Sequence, residues 1–339
     1  MDFNFTDEQL AFRDTARQFA DKELAPFAAE WDQHGTFPKD TIRRAGELGF
    51  CALYCDEDQG GMGLSRLDAA LIFEQMAAGC TSTTAFITIH NMATWMLSRF
   101  GSEAVRQRWN GPLMSGEALA SYCLTEPGAG SDAASLKTSA RRDGNEYVLN
   151  GAKAFISGAG DTDLLVLMAR TGGPGAGGIS CFAIPSDTPG VSYGRNEDKM
   201  GWKSQPTRAV ILEDARVPVE NRIGDEGQGF KIAMAGLDGG RINIASCSLG
   251  AASAALAQAQ NDFNVNKSLR ERGFETENSA EGFMVALSAA EANLSAASVA
   301  LSNRETELAN TKITATVAGI VQRPLAEVGD LMTAGGSCA

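Results

Sequence analysis

The stretch Tyr122-Cys-Leu-Thr-Glu-Pro-Gly-Ala-Gly-Ser-Asp132 carries the residue types of a ligand-binding loop. A short apolar run suited to a strand gives way to Pro127, Gly128 and Gly130, flanked by hydroxyls. Glycines admit a ligand close to the backbone, and an open turn leaves amides free for anionic oxygens. Thr125 and Ser131 add side-chain donors. An ordinary turn shares this composition, so spacing alone leaves a cofactor loop and a plain turn both open.

Other reactive centres are few. His34 and His90 are the only histidines, which disfavours a His-based metal centre or triad. The seven cysteines (51, 55, 80, 123, 181, 247 and 338) are odd in number and scattered, as expected of reduced thiols. Cys51 and Cys55 have no second pair or nearby His to complete a metal site. Structural roles are expected for all of them, and no metal.

The chain that must position this loop has 339 residues, and its 44% hydrophobic and 21% charged content suits a globular protein of two or three domains. A net charge of −13 argues against nucleic acid or an anionic membrane as partner. The acidic start runs straight into a helical pattern and reads as no signal peptide; no apolar run approaches the roughly 20 residues of a membrane span. A bacterial cytoplasmic location is the expectation.

Thr6 and Gln9 fit a capping box, with Phe12, Ala16, Phe19 and Ala20 on one face up to Pro26. Helices are predicted over 40–48, closed by Gly49, over 67–78, over 83–100, and from a Ser102 cap to Trp109. The glycines at 60, 61 and 63 read as a turn. After residue 118 the period becomes two. Asp143-Gly144 and Asn150-Gly151 are predicted hairpin turns, with strands at 147–149, 164–169, 179–184 and 209–212. The glycine-rich run 172–178 lacks a following helix, so it reads as a hairpin loop, and a Rossmann fold is disfavoured. Short strands with regular turns predict an antiparallel β-barrel or sandwich.

A helical domain, a β-domain and helices restarting near Phe230 resemble the layout of the acyl-CoA dehydrogenases. Residues 122–132 are similar to that family's first signature, close to CLTEPxAGSD. The resemblance implies FAD as cofactor, held by Tyr122, Cys123, Leu124, Thr125, Gly130 and Ser131, with Ser131 also touching acyl-CoA. Phe155, Ile156 and Ser157 match the segment where an aromatic ring packs beside the flavin, Ser157 standing where Thr is usual. Runs at 177–181, 201–209 and 239–250 look most like the branch acting on isobutyryl-CoA, a short branched acyl-CoA of valine and fatty-acid catabolism. On that basis Asp238, Gly239, Gly240 and Arg241 would line the acyl-CoA site, and electron-transfer flavoprotein and a homo-oligomer would be partners.

The chemistry of that family requires a carboxylate for the α-proton, a hydride acceptor for the β-carbon, and donors for the thioester oxygen. The resemblance covers residues 1–255 and then stops. The family's later Arg-x-x-Phe-Gly and Gly-Gly-x-Gly stretches, the latter with the catalytic Glu, do not occur. Some relatives place the base one position before the helix Arg, which here is Gly240; Glu226 is the nearest Glu, with no motif to support it. No catalytic residue is therefore assigned.

Leu287, Leu294, Leu301 and Leu308 repeat every seven residues, with Ala290 and Ala297 between, which fits either a heptad seam or an ordinary amphipathic helix. A helix over 261–271, Gly273-Phe274 and a return from Ala286 suggest a hairpin, then strand-like alternation from Thr311. Residues 256–339 resemble the coiled-coil hairpin and half of the lipoyl-like barrel of efflux-pump periplasmic adaptors. Ala315, Gly319, Val321, Val328, Gly329 and Gly335 match, while Thr316 and Ala334 replace the usual Pro. The expected chain is thus α+β and multidomain: a helical domain at 1–118, a β-domain at 119–225, the start of a further helical domain at 226–255, a helical hairpin at 256–310 and half-barrel strands at 311–339. A truncated chimera with impaired activity is the expectation. A dead flavin-binding fragment and a coiled-coil interaction protein are the alternatives.

Overall fold

The computed structural model describes residues 4–271 and 284–293, together with 295, 296 and 299. The chain divides into units at 1–297 and 298–339. Six helices open the first unit: α1 (Asp7–Phe19), α2 (Ala28–His34), α3 (Lys39–Glu47), α4 (Arg66–Gly79), α5 (Thr81–Phe100) and α6 (Glu103–Met114). The Thr6–Gln9 capping box forms at α1, and Ser65 with Asp68 makes a second at α4. Beyond α1 a π-helical turn, Ala20–Leu24, carries the buried face onward before Pro26. The sequence predicts no helix at α2, whose residues are all at least partly exposed, so no apolar face announces it. The predicted end of α6 at Trp109 falls short as well; Pro112 sits within the extra turn to Met114.

The middle region holds β1 (Ala120–Cys123), β2 (Ser139–Asp143), β3 (Glu146–Ser157), β4 (Leu164–Arg170), β5 (Ile179–Pro185), β6 (Val191–Tyr193), β7 (Thr207–Pro218) and β8 (Arg222–Ile223). They form one sheet in the order β6-β7-β3-β2-β4-β5-β8, with β1 paired to β4. The expectation of an antiparallel barrel or sandwich is corrected here. β1–β4 and β2–β4 pair parallel, so the sheet is mixed. The sheet does bend over itself: Tyr147 of β3 and Phe182 of β5 lie three strands apart in pairing order yet place their rings 4.9 Å apart. Tyr147, Leu149, Val210 and Leu212 fill one cluster with Leu165, Leu167 and Ile184.

A second correction concerns Asn150-Gly151, which is no hairpin turn. β3 runs straight through it with a bulge between Leu149 and Gly151. Gly151 has φ 146°, and a Cβ there would meet Thr138 Oγ1 at 2.6 Å. Asn150 exchanges hydrogen bonds with Asp214 on β7, at 2.9 Å each way. The polar pair that signals a turn here anchors a bulge. Asp143-Gly144 is the true hairpin, and 172–178 joins antiparallel β4 and β5 as expected.

α7 (Gly229–Glu271) then runs without a break past residue 255. Its first half packs on α5 and the outer sheet face through Ile232 and Ala233, and on the α4 side through Cys247. Within Gly229–Ser268 an 18-residue window reaches a mean hydropathy of 1.2, which by length and composition alone suffices to cross a membrane, against the expectation that no segment does. Alanines interspersed among Ile and Leu raise that average without any long continuous apolar run. Residues 284–293 are helical. Leu294, Leu301, Leu308, Gly273-Phe274 and every half-barrel position from 311 to 339 lie outside the described residues.

Candidate functional site

The loop of residues 122–132 is aimed from beneath by α5. His90 is wholly buried; its Nδ1 accepts the Ala120 amide at 3.0 Å, so Nε2 carries the proton and donates to the Leu113 carbonyl at 2.8 Å. Burial pushes the His90 pKa down to about 4, keeping it neutral. β1 is thereby pinned at its first residue.

After β1, Glu126 and Ala129 exchange amide–carbonyl bonds of 3.1 Å across Pro127-Gly128, a tight turn. The Glu126 carboxylate is buried. It accepts the Lys137 amide at 2.7 Å, the Thr138 amide at 2.9 Å and Lys153 Nζ at 2.8 Å. Burial would raise its pKa, but those donors together hold it below the usual carboxylate range. Lys153 is fully buried and also donates to the Leu124 carbonyl at 3.2 Å.

Above this base the loop is open. Nothing lies within 4 Å of where a Cβ would stand on Gly128 or Gly130. Among the described residues, no protein acceptor takes the amides of Gly128, Gly130 and Ser131. The hydroxyls of Thr125, Ser131 and Ser157 likewise make no hydrogen bond among the described residues, although their neighbour Ser121 bonds both the Ser157 carbonyl and Thr162. Three uncommitted hydroxyls around an open-faced turn form a cradle for a polar ligand.

The Ala154 amide donates to the Thr125 carbonyl at 2.9 Å, joining β3 to the loop. β3 shifts register between Lys153 and Ile156, and Phe155 sits in this bulge at φ 58° with 67% of its surface exposed. A bulky residue in left-handed conformation is strained by about 1–3 kcal/mol, and such strain concentrates at functional sites. Cys123, Leu124 and Ile156 turn their side chains into the cores, so only their backbones face a ligand. Burial raises the Cys123 thiol to about 12, leaving it inert.

Tyr122 packs on the same cluster as Met234 and Leu237 of α7. Its hydroxyl is buried without a partner, and burial raises its pKa while the charge of Arg241 pulls the other way. The 238–241 segment therefore lies within electrostatic reach of β1. Within that segment the four residues differ. Asp238 and Arg241 are exposed and paired at 2.9 Å. Gly239 faces the helical domain, where a Cβ would stand 2.1 Å from Arg66 Nη1; Gly240 is half-buried, with only Met92 Sδ nearby at 3.2 Å. The Arg66 guanidinium lies 3.6 Å over the Tyr54 ring. Glu226 bonds the Tyr147 hydroxyl and pairs with Arg222 at 3.6 Å.

A cavity of about 590 Å³ opens on the other side of the loop, between Asp132, Lys137 and the 172–175 turn. Arg170 forms its wall and is saturated by the carbonyls of Ala134, Leu136, Gly173 and Gly175. Among the described residues no group of three or more His, Cys, Asp or Glu could hold a metal. Sequence reasoning missed Lys153, gave Glu126 only as part of the 122–132 stretch, and gave His90 only a general structural role. The only signal of Lys153 and His90 was a charged or polar residue within a largely apolar element.

Family models described as the N-terminal and middle domains of acyl-CoA dehydrogenase match residues 6–117 and 121–215. The mitochondrial isobutyryl-CoA dehydrogenase of Bos taurus is 59% identical over 266 residues, 78% of this chain and 64% of its own length. That of Dictyostelium discoideum is 53% identical over 263 residues, 77% of this chain and 63% of its own. The chain thus spans under two thirds of these relatives. The structure of butyryl-CoA dehydrogenase from Megasphaera elsdenii matches at 38% identity and a TM-score of 0.73, covering 77% of this chain and 70% of that one.

Proposed function

We propose, because the chain belongs to the acyl-CoA dehydrogenase family, that its 122–131 loop and 155–157 bulge hold FAD beside a short branched acyl-CoA such as isobutyryl-CoA. The observation that carries this reading is the Ala154–Thr125 bond, which seats the strained, exposed Phe155 against an open turn ringed by uncommitted hydroxyls. Open glycines, free amides and an exposed ring fit a planar ring system bearing a pyrophosphate. When bound, FAD supplies the acceptor for the substrate's β-hydride.

The chain's own residues do the rest. Phe155 offers an aromatic face and excludes water from one side of the ring. Thr125, Ser131 and Ser157 offer hydroxyl donors, and the amides of Gly130 and Ser131 face anionic oxygens. Asp238, Gly240 and Arg241 border the acyl-CoA, with Gly240 at the position where the family resemblance puts the base of some members. The described residues do not supply that base: Gly240 has no side chain, and Glu226 and Asp238 are both paired. The reading is therefore a flavin- and thioester-binding half-site for α,β-dehydrogenation, with no base assigned among the described residues. Electron-transfer flavoprotein is the proposed electron acceptor, on family grounds, and self-association the proposed assembly.

Titrating the purified chain with FAD, followed by flavin fluorescence quenching, tests the reading. Saturable quenching, then a shift of the bound spectrum on adding isobutyryl-CoA, is expected. No quenching at any FAD concentration would sink it.

A further inference from the structure

We propose that Lys153 is a positioning residue, whose buried pair with Glu126 locks the 124–131 loop to the Phe155 bulge in the open shape a flavin needs. This rests on the FAD reading above. Lys153 touches neither the open face of the loop nor the bulge surface; it acts through the backbone on both sides. Its Nζ holds the Leu124 carbonyl at 3.2 Å, at the start of the loop, and Glu126 Oε1 at 2.8 Å, within the turn. One residue further along β3, the Ala154 amide holds Thr125 between those two contacts. Three successive loop residues are thus fixed by two successive strand residues, immediately before the register shift that exposes Phe155.

The second carboxylate oxygen of Glu126 takes the Lys137 amide at 2.7 Å, so the exit of the loop is tied to the same pair. A buried ion pair is a poor source of stability, because desolvation offsets its Coulomb gain. An apolar pair would fill the space as well. What an apolar pair lacks is direction: it cannot hold named carbonyls and amides in register while glycines at 128 and 130 leave the turn free to collapse.

The test uses the full chain with Lys153→Met/Glu126→Gln, which removes both charges together and keeps one acceptor oxygen, enough for either the Lys137 or the Thr138 amide, since the carboxylate holds them on separate oxygens. The single variant Lys153→Met strands a buried carboxylate and serves as the unfolding control. The double variant is expected to melt within a few degrees of wild type. It should bind FAD at least about tenfold more weakly and exchange the Ala154 amide hydrogen faster, while β4 amides such as Leu167 are unchanged. A folded double variant that binds FAD as tightly as wild type overturns the proposal. If wild type itself takes up no FAD, the functional reading fails, and exchange alone decides the positioning claim: unaltered Ala154 exchange overturns it, and faster exchange supports it.

Discussion

The amide of Ala154 and the carbonyl of Thr125, 2.9 Å apart, join the two halves of the candidate flavin site. One half is a turn built to be approached. The other is a strand forced off its register so that an aromatic ring faces outward. Neither half has an evident structural purpose by itself, and both cost conformational freedom or strain.

Gly130 has empty space where a Cβ would stand. Gly130→Val should therefore leave stability within about 0.5 kcal/mol of wild type, yet weaken FAD binding by about tenfold or more. Thermal melts and FAD titration of the same preparation check this. Equal FAD affinity in the variant would remove the glycine face from the site.

Phe155 is two-thirds exposed at φ 58°. Phe155→Gly relieves a left-handed penalty of about 1–2 kcal/mol and gives back up to about 1 kcal/mol through the unfolded chain. Its melting temperature should be equal to or slightly above wild type, with FAD affinity reduced. A marked loss of stability would mean that the ring is structural.

These two positions show what was legible in the sequence. The loop's hydroxyls, glycines and proline act locally, so residue type and spacing reveal them, as they do the Thr6 and Ser102 caps. Lys153 reads as one charged residue in an alternating strand, and only the folded sheet seals it against Glu126. The parallel pairing of β1 with β4 depends on residues more than 40 positions apart. Asn150-Gly151 misled because Asp214, far away in sequence, captures the asparagine. Gly239 was assigned to the ligand by resemblance; in the fold its missing side chain makes room for Arg66.

A Cβ on Gly239 would press on an Arg66 already stacked on Tyr54. Gly239→Ala should destabilise by about 1–2 kcal/mol, despite a helix-propensity gain of about 1 kcal/mol. Gly240→Ala, facing only the flexible Met92, should be neutral or stabilising. In an Arg66→Ala background the cost at 239 should vanish, and a double-mutant cycle by urea melts measures the coupling.

His90 sets a pH limit. Its pKa falls from 6.5 to about 4 on folding because burial disfavours the charged ring. The unfolded chain therefore takes up a proton near pH 6.5 that the folded one refuses until about pH 4. The stability contribution is complete above 6.5 and is lost as pH falls through this window, by about 3 kcal/mol in all. His90→Gln should flatten that segment of the stability–pH curve; an unchanged slope would assign the loss to other groups.

On the proposed reading, the described residues form a flavin and thioester site and supply no base for it. The direct measurement is the visible flavin absorbance of the FAD-loaded chain after anaerobic addition of isobutyryl-CoA, in wild type and in Gly240→Glu, which places a carboxylate at the base position proposed above. Wild type should shift its spectrum and stay yellow, while Gly240→Glu should bleach. Rapid bleaching of wild type would contradict the claim, because it would require a base already in place.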